Sequence, residues 1–240
     1  MKADALDRFS TALYTVPEAA RYLDVPPSTL KSWAHGYRNR PAGRPEVVGA
    51  PIVTALSRDH IRQPVIPFIG LAEGAILSAI RRSGVPMQRI RPALEQLGNQ
   101  FDLSHALANR RLYTDGAEVL FDYAEGTDDP GLVRAARELV VVRNGQRVFN
   151  EVVDAYLQRL EFDSEGYVRL MRLPAYAVAD VVVDPARGFG QPIFAHGGVR
   201  LEDALGLFRA VEPLDVVADE YGIPRDHLED AVRIATRPAA

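Results

Sequence analysis

"YTVPEAARYLDVPPSTLKSWAHG", residues 14–36, sets two short apolar stripes on either side of a tight turn. Val16, Ala19, Ala20, Tyr22 and Leu23 recur at helical spacing, and Pro17 suits a first helical turn, where its missing N–H costs nothing. The spacing predicts a helix over 17–23. Asp24-Val25-Pro26-Pro27 cannot continue it, because a proline disfavours helical geometry in the residue before it. Ser28 is then placed as the N-cap of a second helix over 29–35, which Gly36 ends. A helix-turn-helix of this spacing buries its first helix and presents the outward side chains of the second to a DNA major groove. Leu30, Trp33 and Ala34 form the inward stripe of the second helix, leaving Ser28, Thr29, Lys31, Ser32 and His35 outward. These are small donors and a cation, which suit phosphate oxygens and base edges.

Core helix pairs share this spacing, so charge has to separate the two readings. Arg38, Arg40 and Arg44 follow the second helix, and with Lys31 they give residues 28–45 four cations and no acid. The whole chain of 240 residues has a formal net charge of -4, which argues against nonspecific polyanion binding by the entire surface. The charge is unevenly placed: +2 over residues 1–60, -1 over 61–200 and -5 over 201–240. The two ends of the chain face different partners.

Working outward, Glu46–Val48 and Pro51–Leu56 are two β-prone runs about a Gly-Ala turn, predicting a small hairpin or wing. "LAEGAILSAIRRSGVPMQRIRPALEQLG" gives two helices broken at Ser83-Gly84-Val85-Pro86. Their apolar series Leu71, Ile76, Leu77, Ile80, Ile90, Leu94 and Leu97 fits either the core or the seam of a homodimer. "RLYTDGAEVLFDYAEG" reads as strand, Asp115-Gly116 turn, strand. "GTDDPG", residues 126–131, is the candidate linker. After it come a helical run, "NEVVDAYLQRLEF", and the β-prone "GYVRLMRL" and "VADVVVD". Residues 201–236 parse as helices near 201–210, 213–221 and 225–236. The last two echo the opening stretch: apolar helix, tight turn, helix.

The expected fold is mainly α with small β elements. A winged helix-turn-helix domain spans 1–125, a middle α+β connection 126–185 and a C-terminal three-helix, helix-turn-helix-like domain 186–240.

Enzyme signatures are missing from the sequence. Without cysteine there is no disulfide, thiol nucleophile or thiolate metal site. His35, His60, His105, His196 and His227 are scattered without metal-ligand spacing, and Gly188-Phe189-Gly190-Gln191 lacks the further glycine or Lys-Ser/Thr of a phosphate loop. No Gly-x-Ser-x-Gly elbow occurs. The expectation is a chain with no catalytic residues, metal or cofactor. No run reaches the roughly 18–20 apolar residues of a membrane span, and the start lacks the pattern of a signal peptide, so no membrane partner and a cytoplasmic location are expected.

"YTVPEAARYLDVPPSTLKSWAHG" resembles the start of a MerR-type winged helix-turn-helix, with Thr-Val-Pro-Glu-Ala-Ala before the first helix and Ser-Thr-Leu opening the recognition helix. "FGQPIFAHGGVRLEDALGLFRAVEPLDVVADEYGIPRDHLEDAVRIA" resembles a short three-helix domain found in antitoxins, departing from it at His196–Gly198, where "GTR" is common. In this order the two look like a VapB-type antitoxin of a bacterial type II toxin-antitoxin pair. The resemblance implies that the chain binds a PIN-type ribonuclease toxin and represses its own operon through operator DNA. A stand-alone MerR-like transcription regulator without a toxin partner is the alternative. The acidic C-terminal helices would repel phosphate, so protein rather than DNA is their expected partner.

Overall fold

The computed structural model of the chain describes residues 6–40, 46–57, 60, 63–143 and 146–236. Helix α1 (Val16–Tyr22) opens with a capping box: Thr15 Oγ1 accepts from the Glu18 amide at 3.4 Å, and a Glu18 carboxylate oxygen accepts from the Thr15 amide at 2.8 Å. Asp24 then takes a left-handed backbone (φ 52°), and the Val25 amide returns to the Ala20 carbonyl at 3.0 Å. Helix α2 (Pro27–His35) begins earlier than expected. Its N-cap is Pro26 and not Ser28, which sits inside the first turn; Pro27 has no N–H to lose there, so the helix starts without a side-chain cap. Gly36 (φ 71°) ends α2 and turns the chain at once into β1 (Tyr37–Asn39).

A hairpin follows α2, and the run predicted at Glu46–Val48 is one of its strands to within a residue, but its partner lies upstream and not at Pro51–Leu56. β1 pairs antiparallel with β2 (Val47–Gly49), Tyr37 opposite Gly49. Residues 51–56 are not a strand. They run back over α2, where the amides of Ile52 and Val53 both donate to the Trp33 carbonyl at 2.8 and 3.1 Å. Contacts near Gly36 and Gly49 set this register: a Cβ on Gly36 would lie 2.4 Å from the Gly49 carbonyl, and one on Gly49 would enter the Tyr37 ring.

Helix α3 (Phe68–Arg82) is the platform beneath the helix-turn-helix. Gly70, Gly74 and Ser78 recur every fourth residue and give it one low-relief stripe. A Cβ on Gly70 would be 2.2 Å from the Thr54 carbonyl, one on Gly74 would be 2.6 Å from a Leu23 methyl, and the Ser78 hydroxyl donates to the Leu23 carbonyl at 3.2 Å. Leu71, Ile76, Leu77 and Ile80 of α3, with Leu94 and Leu97 of α4 (Met87–Phe101), are at most 5% exposed, while the Ile90 side chain lies outside the described ones. They fill the chain's own core, so a second copy would need another face.

Residues 110–125 overturn the second hairpin: they form one helix, α5 (Arg110–Glu125), with Asp115-Gly116 inside it. Asn109 caps it by accepting from the Arg111 amide, and Arg111 pairs with Asp115 one turn on at 3.6 Å. Leu112, Gly116, Ala117, Leu120 and Ala124 make a buried stripe of helical period against α4 and α6 (Pro130–Leu139). Burial of that stripe outweighs the local turn preference of Asp-Gly. Residues 126–131 are the short connection between α5 and α6, where Asp129 caps α6 through the amides of Gly131 and Leu132.

Beyond α6 a hairpin unforeseen in the sequence, β3 (Val140–Arg143) with β4 (Gln146–Phe149), leads to α7 (Glu151–Leu157). An antiparallel meander follows: β5 (Leu160–Phe162), β6 (Val168–Arg172), β7 (Val181–Val183) and β8 (Ile193–Phe194). Helices α8 (Leu201–Arg209), α9 (Leu214–Tyr221) and α10 (Arg225–Ala235) close the chain, each within two residues of its predicted bounds. The fold is mainly α with small antiparallel sheets. One cluster of buried apolar side chains runs from Tyr14 through α3–α7 and the meander to Ala231. Among the described residues no helix is long and apolar enough to cross a membrane.

Candidate nucleic-acid interface

α2 buries Leu30, Trp33 and Ala34 and turns its other face outward. Ser28, Lys31 and His35 are exposed there, and Thr29 and Ser32 are half-buried. The Ser32 hydroxyl donates to the Ser28 carbonyl at 2.9 Å, which leaves its oxygen lone pairs for a ligand's donor. Arg38, in β1, and Arg40, just after it, are exposed. Among the described residues Lys31, Arg38 and Arg40 meet no carboxylate within ion-pair distance. Arg44 lies outside the described residues. The helix and the hairpin thus bring seven of the eight predicted residues to one end of the fold, with cations whose counter-charge the described chain does not supply.

This end is tied from below to α3 and α4. Glu73, 4% exposed on α3, accepts from the Thr54 amide at 2.6 Å and the Thr54 hydroxyl at 3.1 Å, and its other neighbour is His105 Nδ1 at 3.0 Å. Thr54 directly follows the two amides that grip Trp33, so the clasp ties the back of α2 to α3. Arg82 pairs with Asp24 in the helix-turn-helix turn, and Arg91 donates to the Ala50 carbonyl with its guanidinium 5.8 Å from the Tyr37 ring centre. Sequence reasoning missed these supports. Their signal was present: residues 81–94 hold Arg81, Arg82, Arg89 and Arg91 and no acid.

The C-terminal helix pair repeats the backbone of the first. Gly222 (φ 61°) stands where Asp24 stands, the Ile223 amide returns to Ala218 at 2.9 Å as Val25 does to Ala20, and Pro224 (ψ 134°) matches Pro26 (ψ 138°). Counting from the two prolines, Asp226, Glu229 and Asp230 occupy the places of Ser28, Lys31 and Ser32. Asp230 is 3% exposed and accepts from the amides of Val178 and Ala179 at 2.8 and 2.9 Å while pairing with Arg233. Burial alone would raise its pKa; those two amides and Arg233 outweigh it and hold the carboxyl below its ordinary value. The face that α2 leaves open is, at this position of α10, closed by the chain's own loop. α1 and the residue before its cap also touch this half of the molecule: the Tyr14 hydroxyl donates to the Gly190 carbonyl, and Arg21 of α1 reaches Glu202 at 3.8 Å.

Residues 12–94, which hold α1 to most of α4, match a family model described as a putative DNA-binding HTH domain. The crystal structure of Rv2018 from Mycobacterium tuberculosis superposes with a TM-score of 0.80 at 46% sequence identity, covering 94% of this chain and 99% of that one. The chain is 26% identical over 226 residues to the uncharacterized protein Rv2308 of M. tuberculosis (strain ATCC 25618 / H37Rv), covering 92% of this chain and 88% of that protein. It is 49% identical over 229 residues to the putative antitoxin VapB45 of the same strain, covering 94% of each. With identity of that order spread from the helix-turn-helix to the acidic C-terminal helices, the chain belongs to the family of the putative antitoxin VapB45.

Proposed function

We propose that this chain is an antitoxin that binds and neutralises a cognate PIN-type ribonuclease and represses its own operon by binding operator DNA. The observation that carries the DNA half is the open face of α2 and β1, where Lys31, Arg38 and Arg40 stand exposed with no carboxylate partner among the described residues. Lys31, Arg38, Arg40 and Arg44 neutralise phosphates, and Ser28, Thr29, Ser32 and His35 approach base edges. A homodimer would set two such helices on two half-sites, gaining specificity that one short helix lacks. The chain has no catalytic role in this reading; it acts by occupancy, in the cytoplasm. The antitoxin half is supported by the likeness to VapB45 along 94% of the chain.

The test is co-purification with the product of the adjacent reading frame, followed by fluorescence anisotropy on the promoter duplex across a salt series. Lys31→Ala/Arg38→Ala/Arg40→Ala should flatten the slope of log K against log salt by about 2.7, at about 0.9 per phosphate contact. DNA affinity that ignores both salt and these three residues overturns the DNA half. Failure to retain or inhibit any ribonuclease from the neighbouring frame overturns the toxin half.

A further inference from the structure

The turn between α3 and α4 stands beside the first turns of α2, and a cleft of about 420 Å³ lies between them, lined by Thr29 and Trp33 on one side and by Arg81, Gly84, Pro86 and Gln88 on the other. A second cleft shares Gly84 and Pro86 with the first and continues to Arg89, Gly131, Arg134 and Glu138, where α4 meets α6. Together they form an open trench that begins at Thr29, a residue assigned to the DNA-reading face. Arg81 and Arg89 are exposed on it.

Most nearby cations are already neutralised: Arg82 by Asp24, Arg134 by Glu138 at 3.0 Å, Arg137 by Glu125 at 2.8 Å. Arg81 and Arg89 have no such partner among the described residues, and the first cleft contains no acid. Arg89 also sits in the first turn of α4, where the helix dipole opposes a cation, so its position does not serve α4 itself. Neither guanidinium is in an ion pair among the described residues, so both are available to an anion from outside the chain. The trench is open to solvent, which suits a polymer of evenly spaced charges better than an enclosed small anion.

We infer that the Arg81–Arg89 trench is a second phosphate-binding track, carrying the DNA backbone that flanks the half-site read by α2. This rests on the DNA half of the proposed function. The N-terminal end of a recognition helix points into the major groove, so the backbone wall beside Thr29 is the one that enters the trench. The contacts are to phosphate only and add affinity without sequence preference.

The experiment uses the full chain, two duplexes and a salt series. One duplex carries the operator with ten flanking base pairs on each side, and the other is cut flush with the half-sites. On the long duplex Arg81→Ala/Arg89→Ala should flatten the salt slope by about 1.8 and weaken binding about thirty-fold at 0.15 M salt, equally for operator and scrambled sequence. On the flush duplex the variant and the unaltered chain should converge. Arg81→Lys/Arg89→Lys should keep the slope, which separates charge from damage to the fold. If the alanine pair keeps the full slope on the long duplex while Lys31→Ala lowers it, the track is refuted and the DNA reading stands. If the unaltered chain binds neither duplex, the DNA reading fails and the track with it.

Discussion

Replacing Glu73 with alanine should damage this fold more than any single change on its DNA-reading face. Its carboxylate is 4% exposed and accepts from the Thr54 amide at 2.6 Å and the Thr54 hydroxyl at 3.1 Å. After truncation the hydroxyl can turn to His105 Nδ1, 2.9 Å away, but the Thr54 amide loses the carboxylate that accepts from it. Losing a hydrogen bond to a charged group costs about 1.5–3 kcal/mol, and a buried donor left unpaired adds to it, so a loss of about 3 kcal/mol is expected. For a chain of this length 1 kcal/mol moves Tm by about 2–4 °C, which puts the fall at roughly 6–12 °C in a thermal melt followed by circular dichroism. Glu73→Gln should be much milder, about 1 kcal/mol or less, because its amide oxygen can face the Thr54 amide while its NH2 group donates to the hydroxyl. Hydrogen exchange at Ile52, Val53 and Thr54 should quicken in the alanine variant, since these amides hang from the same clasp. A Tm change under 2 °C for Glu73→Ala would refute the clasp. Equal damage from Gln and Ala would refute the idea that the acceptor atom, and not the charge beside His105, is what matters.

Two further outcomes follow from residues at the acidic end. Asp230 has a folded pKa below its ordinary 3.8, so its contribution is present above that value and is lost as pH falls through the lowered folded one. Asp230→Asn should therefore lower stability by about 1–3 kcal/mol at pH 7, with the gap to the unaltered chain narrowing in urea melts as pH falls below about 4; a gap that does not narrow on acidification would contradict the assignment. Val211 is a β-branched residue at φ 68° and is 88% exposed between α8 and α9. Strain of about 1–3 kcal/mol is set against about 0.5–1 kcal/mol of glycine entropy, so Val211→Gly should raise Tm by a few degrees, and a fall would mean the side chain makes a contact that offsets the strain.

The sequence was most legible where the deciding signals lie within one or two turns of each other. Pro17, Pro26-Pro27 and Gly36 bound α1 and α2 to within two residues, and Pro213 and Pro224 do the same for the last helices. Periodicity likewise separated Ser28, Lys31 and His35 from Leu30, Trp33 and Ala34. The hairpin after α2 was anticipated as an element but not in its register. Asp115-Gly116 misled for a definite reason: its turn preference is local, whereas the choice of helix rests on Leu112, Ala117, Leu120 and Ala124 finding α4 and α6.

The sequence by itself determined the two helix-turn-helix units and their opposite charges. Only the tertiary structure decided what each unit can present. It leaves the face of α2 open, closes α10 over Asp230 with the amides of Val178 and Ala179, and brings Arg81 beside Thr29 from more than fifty residues away. Capping, turn geometry and periodicity act between residues a few positions apart and can be read along the chain. Exposure and counter-charge depend on which distant segments pack together, and that is fixed by the burial of one shared core.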